Sequence, residues 1–202
     1  MGLIIHAPNV HQGGGRTLLN ALLACADQST CCVVDERMPT NKIDPGVVIC
    51  SIKPTLIDRF KAEVLLAKNA KFGDTVLCFG NLPPLIKSPA SVKVFLQNRY
   101  LFGQHDFSRF SIPTRLRLQL ERWWFRTRMQ VHYSIIVQSL TMQRELKKSL
   151  GFDSIVLPFS AAGTDQPDSG NHDIPETKEF DFVYVSSAEP HKNHAALLDT
   201  WA

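Results

Sequence analysis

The sequence contains no apolar run long enough to cross a bilayer, since none approaches the ~20 consecutive apolar residues that a membrane-spanning helix needs. Residues 1–10 are mostly apolar, but they lack the basic lead and the small-residue cleavage site of a signal peptide. We therefore expect a cytoplasmic location. Peripheral attachment to the inner face of the membrane is the alternative that the sequence leaves open.

The chain also lacks a strong excess of either charge and a metal-binding pattern of cysteines. A formal net charge of +3 does not indicate a nucleic-acid-binding protein. The five cysteines contain no CxxC pair, and the neighbours Cys31 and Cys32 would point to opposite faces of a strand. We expect reduced, buried thiols and no metal site.

What the sequence does contain is an alternation of short apolar strands with helical patterns. Predicted strands cover residues 3–7, 31–35, 47–51, 75–79, 92–97, 134–138 and 155–158, and predicted helices cover 16–26, 55–71, 115–131 and 141–150. Continuous apolar strands separated by helices indicate a parallel sheet covered on both faces. We therefore predict a doubly wound, Rossmann-like α/β domain in residues 1–160.

The composition changes after this predicted domain. Residues 161–179 combine prolines and acids with almost no large apolar side chain, which is typical of a linker. Residues 180–202 then begin with a second apolar strand and continue with a helical pattern. One strand and one helix cannot bury a core alone. We expect them to be the start of an incomplete second domain, or to dock on the first.

Three consecutive glycines, Gly13, Gly14 and Gly15, follow the first predicted strand. Glycine lets a backbone approach a ligand closely, and the start of the following helix offers free N–H groups to a phosphate or sugar oxygen. We expect ligand contact here, with a flexible connection as the alternative. The dinucleotide fingerprint G-x-G-x-x-G is not met, because Leu18 stands where its third glycine is needed.

Two amides, Gln97 and Asn98, end the fifth predicted strand, at the edge where ligands of parallel sheets bind. An amide can hydrogen-bond a sugar hydroxyl but cannot act as a base at neutral pH. We expect Asn98 to line a ligand site. An ordinary cap at the end of the strand is the alternative.

The predicted helix from Arg115 to Gln130 (residues 115–130) mixes five arginines with leucines and aromatic residues. Basic and aromatic side chains on one helix suit peripheral contact with an anionic membrane surface, where tryptophan sits at headgroup depth. The sequence favours the other interpretation, an amphipathic core helix with a solvated arginine face.

Residues 180–198 read FDFVYVSSAEPHKNHAALL. This stretch resembles the opening of the C-terminal domain in family-four (group 1) GT-B glycosyltransferases, where a strand leads to a lysine, then Gly or Asn, then a helix with a Leu-Leu pair. The N-terminal glycine run and the strand series are similar as well. The family lysine binds the diphosphate of the donor, which implies that role for Lys192. We expect Gly13–Gly15 to face it across a cleft.

The resemblance implies transfer of a sugar from a nucleotide-sugar donor to a hydroxyl of a saccharide or lipid-linked acceptor, in polysaccharide or glycolipid synthesis. It also implies no obligatory metal, no cofactor besides the nucleotide-sugar co-substrate, and Gln97 and Asn98 on the acceptor side. The family's acidic pair, Glu-x7-Glu, does not occur. We therefore expect this chain alone to be inactive and the pair to lie beyond Ala202. A non-catalytic Rossmann-like binding or interaction module is the alternative.

Overall fold

The computed structural model describes residues 2–40, 43–108, 110–158, 184 and 194–201. The strands are β1 (Leu3–Ala7), β2 (Thr30–Asp35), β3 (Val48–Ile52), β4 (Thr75–Cys78), β5 (Ser91–Leu96), β6 (Ser134–Val137) and β7 (Ile155–Val156). The helices are α1 (Gly13–Ala24), α2 (Leu56–Asn69), α3 (Ile112–Arg128), α4 (Leu140–Leu150) and α5 (His194–Trp201), with a short 3-10 helix at Arg99–Leu101.

The seven strands form one parallel sheet in the order β3-β2-β1-β4-β5-β6-β7. Strands β2 and β3 follow one another on one side of β1. After α2 the chain returns to the other side of β1, where β4, β5, β6 and β7 follow in order. The direction therefore reverses between β1 and β4, and a crevice opens there at the carboxyl ends of the strands. The predicted α/β fold with a Rossmann-like parallel sheet is confirmed.

The two faces of the sheet are covered by different helices, because successive side chains of a strand point in opposite directions. Ile5 of β1 packs in a cluster with Leu19 and Leu23 of α1. Ile4, on the other face of the same strand, joins the cluster that holds residues of α2, α3 and α4, including Leu66, Phe125 and Leu146. Both faces are thus buried, which explains why the strands are apolar at nearly every position.

Two helices begin three residues earlier than the sequence predicts. The glycine run is not a loop before α1 but its first turn, preceded by an extended Gln12 with φ −147°. Gly13 has φ +64°, a backbone conformation that glycine adopts without a steric penalty. Helix α3 begins at Ile112, and Pro113 lies in its first turn, where a missing N–H costs nothing.

The cysteines are all free in the part of the chain that the structure describes. Cys32 and Cys78 are buried as expected, and burial raises the pKa of the Cys32 thiol to about 11. Cys31 and Cys50 are only partly buried, and Cys25 lies exposed after the last turn of α1, so the expectation of buried thiols is wrong for Cys25.

The predicted strand in residues 180–186 and the lysine-containing motif fall outside the described residues, apart from Tyr184. The boundaries 1–160, 161–179 and 180–202 therefore stay predictions. Within the described ranges, every helix is too short or too polar to cross a bilayer.

Candidate functional site

Asn9 links the segments that follow β1 and β4 at the crevice. The Asn9 side-chain N–H donates to the carbonyl oxygen of Gly80, at a distance of 3.1 Å. A Cβ atom at Gly80 would lie only 2.0 Å from the Asn9 side-chain oxygen. Glycine is therefore required at residue 80, because only a residue without a side chain lets Asn9 lie across the end of β4.

Asn81 joins the end of β4 to the end of β5. Its Oδ1 accepts hydrogen bonds from the backbone N–H groups of Gln97, at 2.6 Å, and Asn98, at 2.8 Å. Its φ of 72° is in the left-handed region, which asparagine tolerates better than most residues. Asn81 thus fixes the backbone of both amides that the sequence singles out, although it was not itself predicted as a site residue.

The structure brings Gln97 to the glycine run. A Cβ atom placed on Gly15 would lie 3.9 Å from Gln97 Oε1 and 3.4 Å from Val10 Cγ1. These are ordinary contact distances, so the side-chain amide of Gln97 lies beside the first turn of α1. The polar end of β5 and the helix start therefore share one wall of the crevice.

Asn98 has a local role that the sequence left open. Its Oδ1 accepts a hydrogen bond of 3.0 Å from the backbone N–H of Tyr100 and so caps the short helix Arg99–Leu101. The alternative interpretation of Asn98, a cap at the end of the strand, thus describes the hydrogen bond that its side-chain oxygen makes. Its half-buried position at the carboxyl edge keeps the acceptor-side role as a prediction.

The first turn of α1 is open. Nothing lies within 4 Å of the position that a Cβ atom would take on Gly13 or Gly14, and the Gln12 side chain makes no capping hydrogen bond. The free N–H groups of such a turn can bind an oxyanion. Lys192, the predicted partner of this turn, lies outside the described residues, so their joint donor site stays a prediction.

The last residue of β2, Asp35, places a buried carboxylate at the same edge of the sheet. Asp35 Oδ1 accepts from Arg37 Nε at 2.8 Å, and Oδ2 accepts from Arg37 Nη2 at 2.6 Å. The Arg37 guanidinium holds the pKa of Asp35 below its ordinary value. His11, which follows β1, places Nδ1 3.8 Å from Asp35 Oδ2. This group ties the loop after β1 to the end of β2. Its signal in the sequence was an aspartate at the end of an apolar run with an arginine two residues later.

A cavity of about 200 Å³ lies on the α2 and α3 side of the crevice. Its apolar walls include Leu56, Phe60, Leu82, Leu85 and Trp124. The Trp124 indole N–H donates to the carbonyl oxygen of Pro83, at 2.9 Å, which fixes the orientation of the ring. Aromatic and aliphatic walls of this kind suit an apolar or ring-shaped ligand.

Two buried polar side chains, His6 and Glu63, also line this cavity. His6 Nε2 and Glu63 Oε1 are 2.9 Å apart, and Glu63 Oε2 accepts from the backbone N–H of Leu85 at 2.7 Å. Both carboxylate oxygens of Glu63 are therefore engaged. The sequence did not predict this pair, because its members are 57 residues apart.

No cluster of three metal-ligating side chains occurs among the residues that the structure describes. Comparison of the chain with protein-family models, with curated proteins and with solved structures found no match.

Proposed function

We propose that this chain is the N-terminal part of a GT-B glycosyltransferase, which transfers a sugar from a nucleotide-sugar donor to a hydroxyl acceptor. One observation carries the proposal. An open, glycine-built helix start lies beside the Gln97 amide, at the edge where the strand order reverses. This is where parallel α/β sheets bind ligands.

In this proposal the first turn of α1 receives an oxygen of the donor diphosphate. Its N–H groups and the positive end of the helix dipole stabilise the charge that develops on the leaving group. Lys192 supplies the cation on the other side of the cleft. Gln97 and Asn98 hydrogen-bond hydroxyl groups of the acceptor. An acceptor with an apolar or ring-shaped portion would place it in the cavity beside Trp124.

The proposal assigns no catalytic residue to the described part of the chain. Asp35 is held by Arg37, and Glu63 has both oxygens engaged, so each carboxylate already has a structural role. In this proposal catalysis needs the family's acidic pair, Glu-x7-Glu, which does not occur in this sequence.

Calorimetry with UDP and GDP on the complete protein tests the donor site. We expect Lys192→Ala to weaken binding by about 1.5–3 kcal/mol, the range for a hydrogen bond to a charged group. Lys148→Ala, which removes an exposed lysine of α4, is the matched control and should leave binding unchanged.

A graded pair at Gly15 tests the helix start. Gly15→Ala adds a Cβ at ordinary contact distance, whereas Gly15→Val forces methyl groups against Val10 and Gln97. We expect a small loss of nucleotide affinity for the first variant and a large loss for the second. If Lys192→Ala and Gly15→Val both bind as the parent does, the donor-site proposal is wrong, and a binding module of another kind is the better description.

A further inference from the structure

Helix α3 is apolar on two opposite faces. On its inner face, Leu118 and Phe125 are buried against the sheet. On its outer face, Ile112 is 78% exposed, Leu116 67%, Leu120 56% and Trp123 57%. The spacings of four, four and three residues place these four side chains in one stripe along the helix. We call this the α3 stripe.

The α3 stripe differs from what the sequence favoured, which was a solvated arginine face opposite the core. The exposed apolar surface also continues toward α2. Leu56 and Phe60, both more than half exposed, line the same cavity as Trp124, the neighbour of Trp123 in the chain. Four exposed apolar side chains in one stripe mark an interaction surface rather than ordinary scattered hydrophobics.

Arginines flank the α3 stripe on both sides. At 100° per residue, Arg126 projects on one side of the stripe, and Arg117 and Arg128 project on the other. All three are exposed. Arg117 is 4.0 Å from Glu121, the only acidic residue of α3, whereas Arg126 and Arg128 have no ion pair among the described residues. The remaining two arginines donate to backbone carbonyls: Arg115 to Phe110 and Arg122 to Gly103.

We propose that the α3 stripe and its flanking arginines dock on the surface of an anionic lipid bilayer. Leucine and tryptophan side chains enter the headgroup boundary, while the long arginine side chains reach the lipid phosphates beside them. An anionic surface satisfies both features at once. A two-fold contact between copies of this chain would instead bring one arginine-rich helix against another. The inference concerns a different surface from the glycine-built helix start, and that surface borders the cavity beside Trp124.

Co-sedimentation of the 202-residue chain with vesicles tests the charge requirement. We expect binding to vesicles of phosphatidylcholine mixed with phosphatidylglycerol, and much weaker binding to phosphatidylcholine alone. Replacing Arg126 and Arg128 together by Gln should weaken partitioning roughly tenfold to thirtyfold, at about fivefold for each basic residue near the surface. The matched control replaces Arg144 and Lys148, two exposed basic residues of α4, by Gln and should bind as the parent does.

A second set of variants tests the apolar requirement and the orientation. Leu116→Ser combined with Leu120→Ser should reduce binding at least tenfold, whereas Phe72→Ser, which changes an exposed phenylalanine outside α3, should not. Trp201→Phe is introduced in both chains, so that each keeps one tryptophan of α3. Brominated lipids should then quench Trp123 in the Trp124→Phe chain more strongly than Trp124 in the Trp123→Phe chain.

Three results would overturn the proposal. One is an equal loss of vesicle binding when Gln replaces Arg126 and Arg128 and when it replaces the two basic residues of the α4 control. Another is binding that survives loss of both leucines. The third is that the chain forms a dimer in solution without vesicles and that replacing Leu116 and Leu120 by Ser abolishes the dimer. That result would assign the stripe to contact with a second copy of the chain. Nucleotide calorimetry without vesicles tests the glycosyltransferase proposal separately, so failure of one proposal leaves the other intact.

Discussion

At the scale of single residues, Asn81 controls the geometry of the crevice. It holds two backbone N–H groups at the end of β5 while its own backbone is left-handed. Alanine lacks the acceptor and disfavours this backbone conformation. Glycine adopts the backbone but also lacks the acceptor, whereas aspartate supplies it.

We predict that Asn81→Ala lowers the free energy of unfolding by about 2–4 kcal/mol, through two lost hydrogen bonds and a strained φ. Asn81→Gly should cost less, because only the hydrogen bonds are lost, and Asn81→Asp should stay closest to the parent. Urea denaturation measures all three. Equal losses for the Ala and Asp variants would show that the oxygen of Asn81 does not hold β5 in place.

The pair formed by Asp35 and Arg37 predicts a pH dependence of stability. Because the folded-state pKa of Asp35 is below its unfolded value, the pair contributes stability above the unfolded pKa of about 3.9 and loses it as the pH falls through the folded pKa. We expect Asp35→Asn to cost about 1.5–3 kcal/mol at neutral pH, and the parent to lose this advantage in acid.

Urea denaturation at a series of pH values from about 6 down to about 2 checks this expectation. Asp153→Asn is the control, because Asp153 pairs with Lys147 at the surface and such pairs contribute little. A difference between parent and Asp35→Asn that stays constant across this pH range would exclude a charge effect.

At the scale of elements, the sequence predicts the helices and strands of the first domain well, because their apolar periodicity decides which side chains are buried. It places the start of α1 three residues late. Consecutive glycines are poor helix formers, and the sequence alone gave no reason to extend the helix through them. The structure shows that a first turn can be built from glycine when the residue before it is extended.

The same first turn supplies a prediction about α1. Gly14→Ala should raise the free energy of unfolding by up to about 1 kcal/mol, because nothing lies near its Cβ position and alanine favours helix. Gly13→Ala should lower it by a similar amount, because φ +64° is strained for alanine. Thermal denaturation compares the two variants. If the helix instead begins after the glycines, as the sequence indicates, Gly14→Ala should bring no such gain in stability.

Contacts between distant parts of the chain explain most of what the sequence did not predict in the site. The link from Asn81 to Gln97 and Asn98 spans 16 and 17 residues, and the pair His6 and Glu63 spans 57. No periodic pattern encodes such pairs, since they depend on how helices pack on the finished sheet. The carboxyl-edge location of the glycine run and of Gln97 was predictable, because strand direction in a parallel sheet fixes it.

At the scale of the whole molecule, the core clusters of the described chain lie within residues 3–156. Strand β7 completes the sheet, because Ile155 and Val156 pair with Ile136 and Val137 of β6. The Leu157 N–H extends this pairing by donating to the Val137 carbonyl oxygen at 2.8 Å. Among the described residues up to 158, this is the last pairing that the sheet makes, and the boundary at residue 160 stays a prediction.

We predict that residues 1–160 fold alone with a Tm within about 4 °C of the 202-residue chain, a difference of roughly 1 kcal/mol for a protein of this size. A chain of residues 1–150 is the matched control. It lacks β7 and also Phe152, whose ring packs edge-on against Phe125 with the centroids 6.2 Å apart. That shorter chain should melt at least several degrees lower, because an aromatic contact of the core and the pairing of an edge strand are lost together.

Differential scanning calorimetry of the three chains measures these differences in Tm. If residues 1–160 melt as early as residues 1–150, then residues 161–202 stabilise the first domain, and the alternative in which they dock on it is correct.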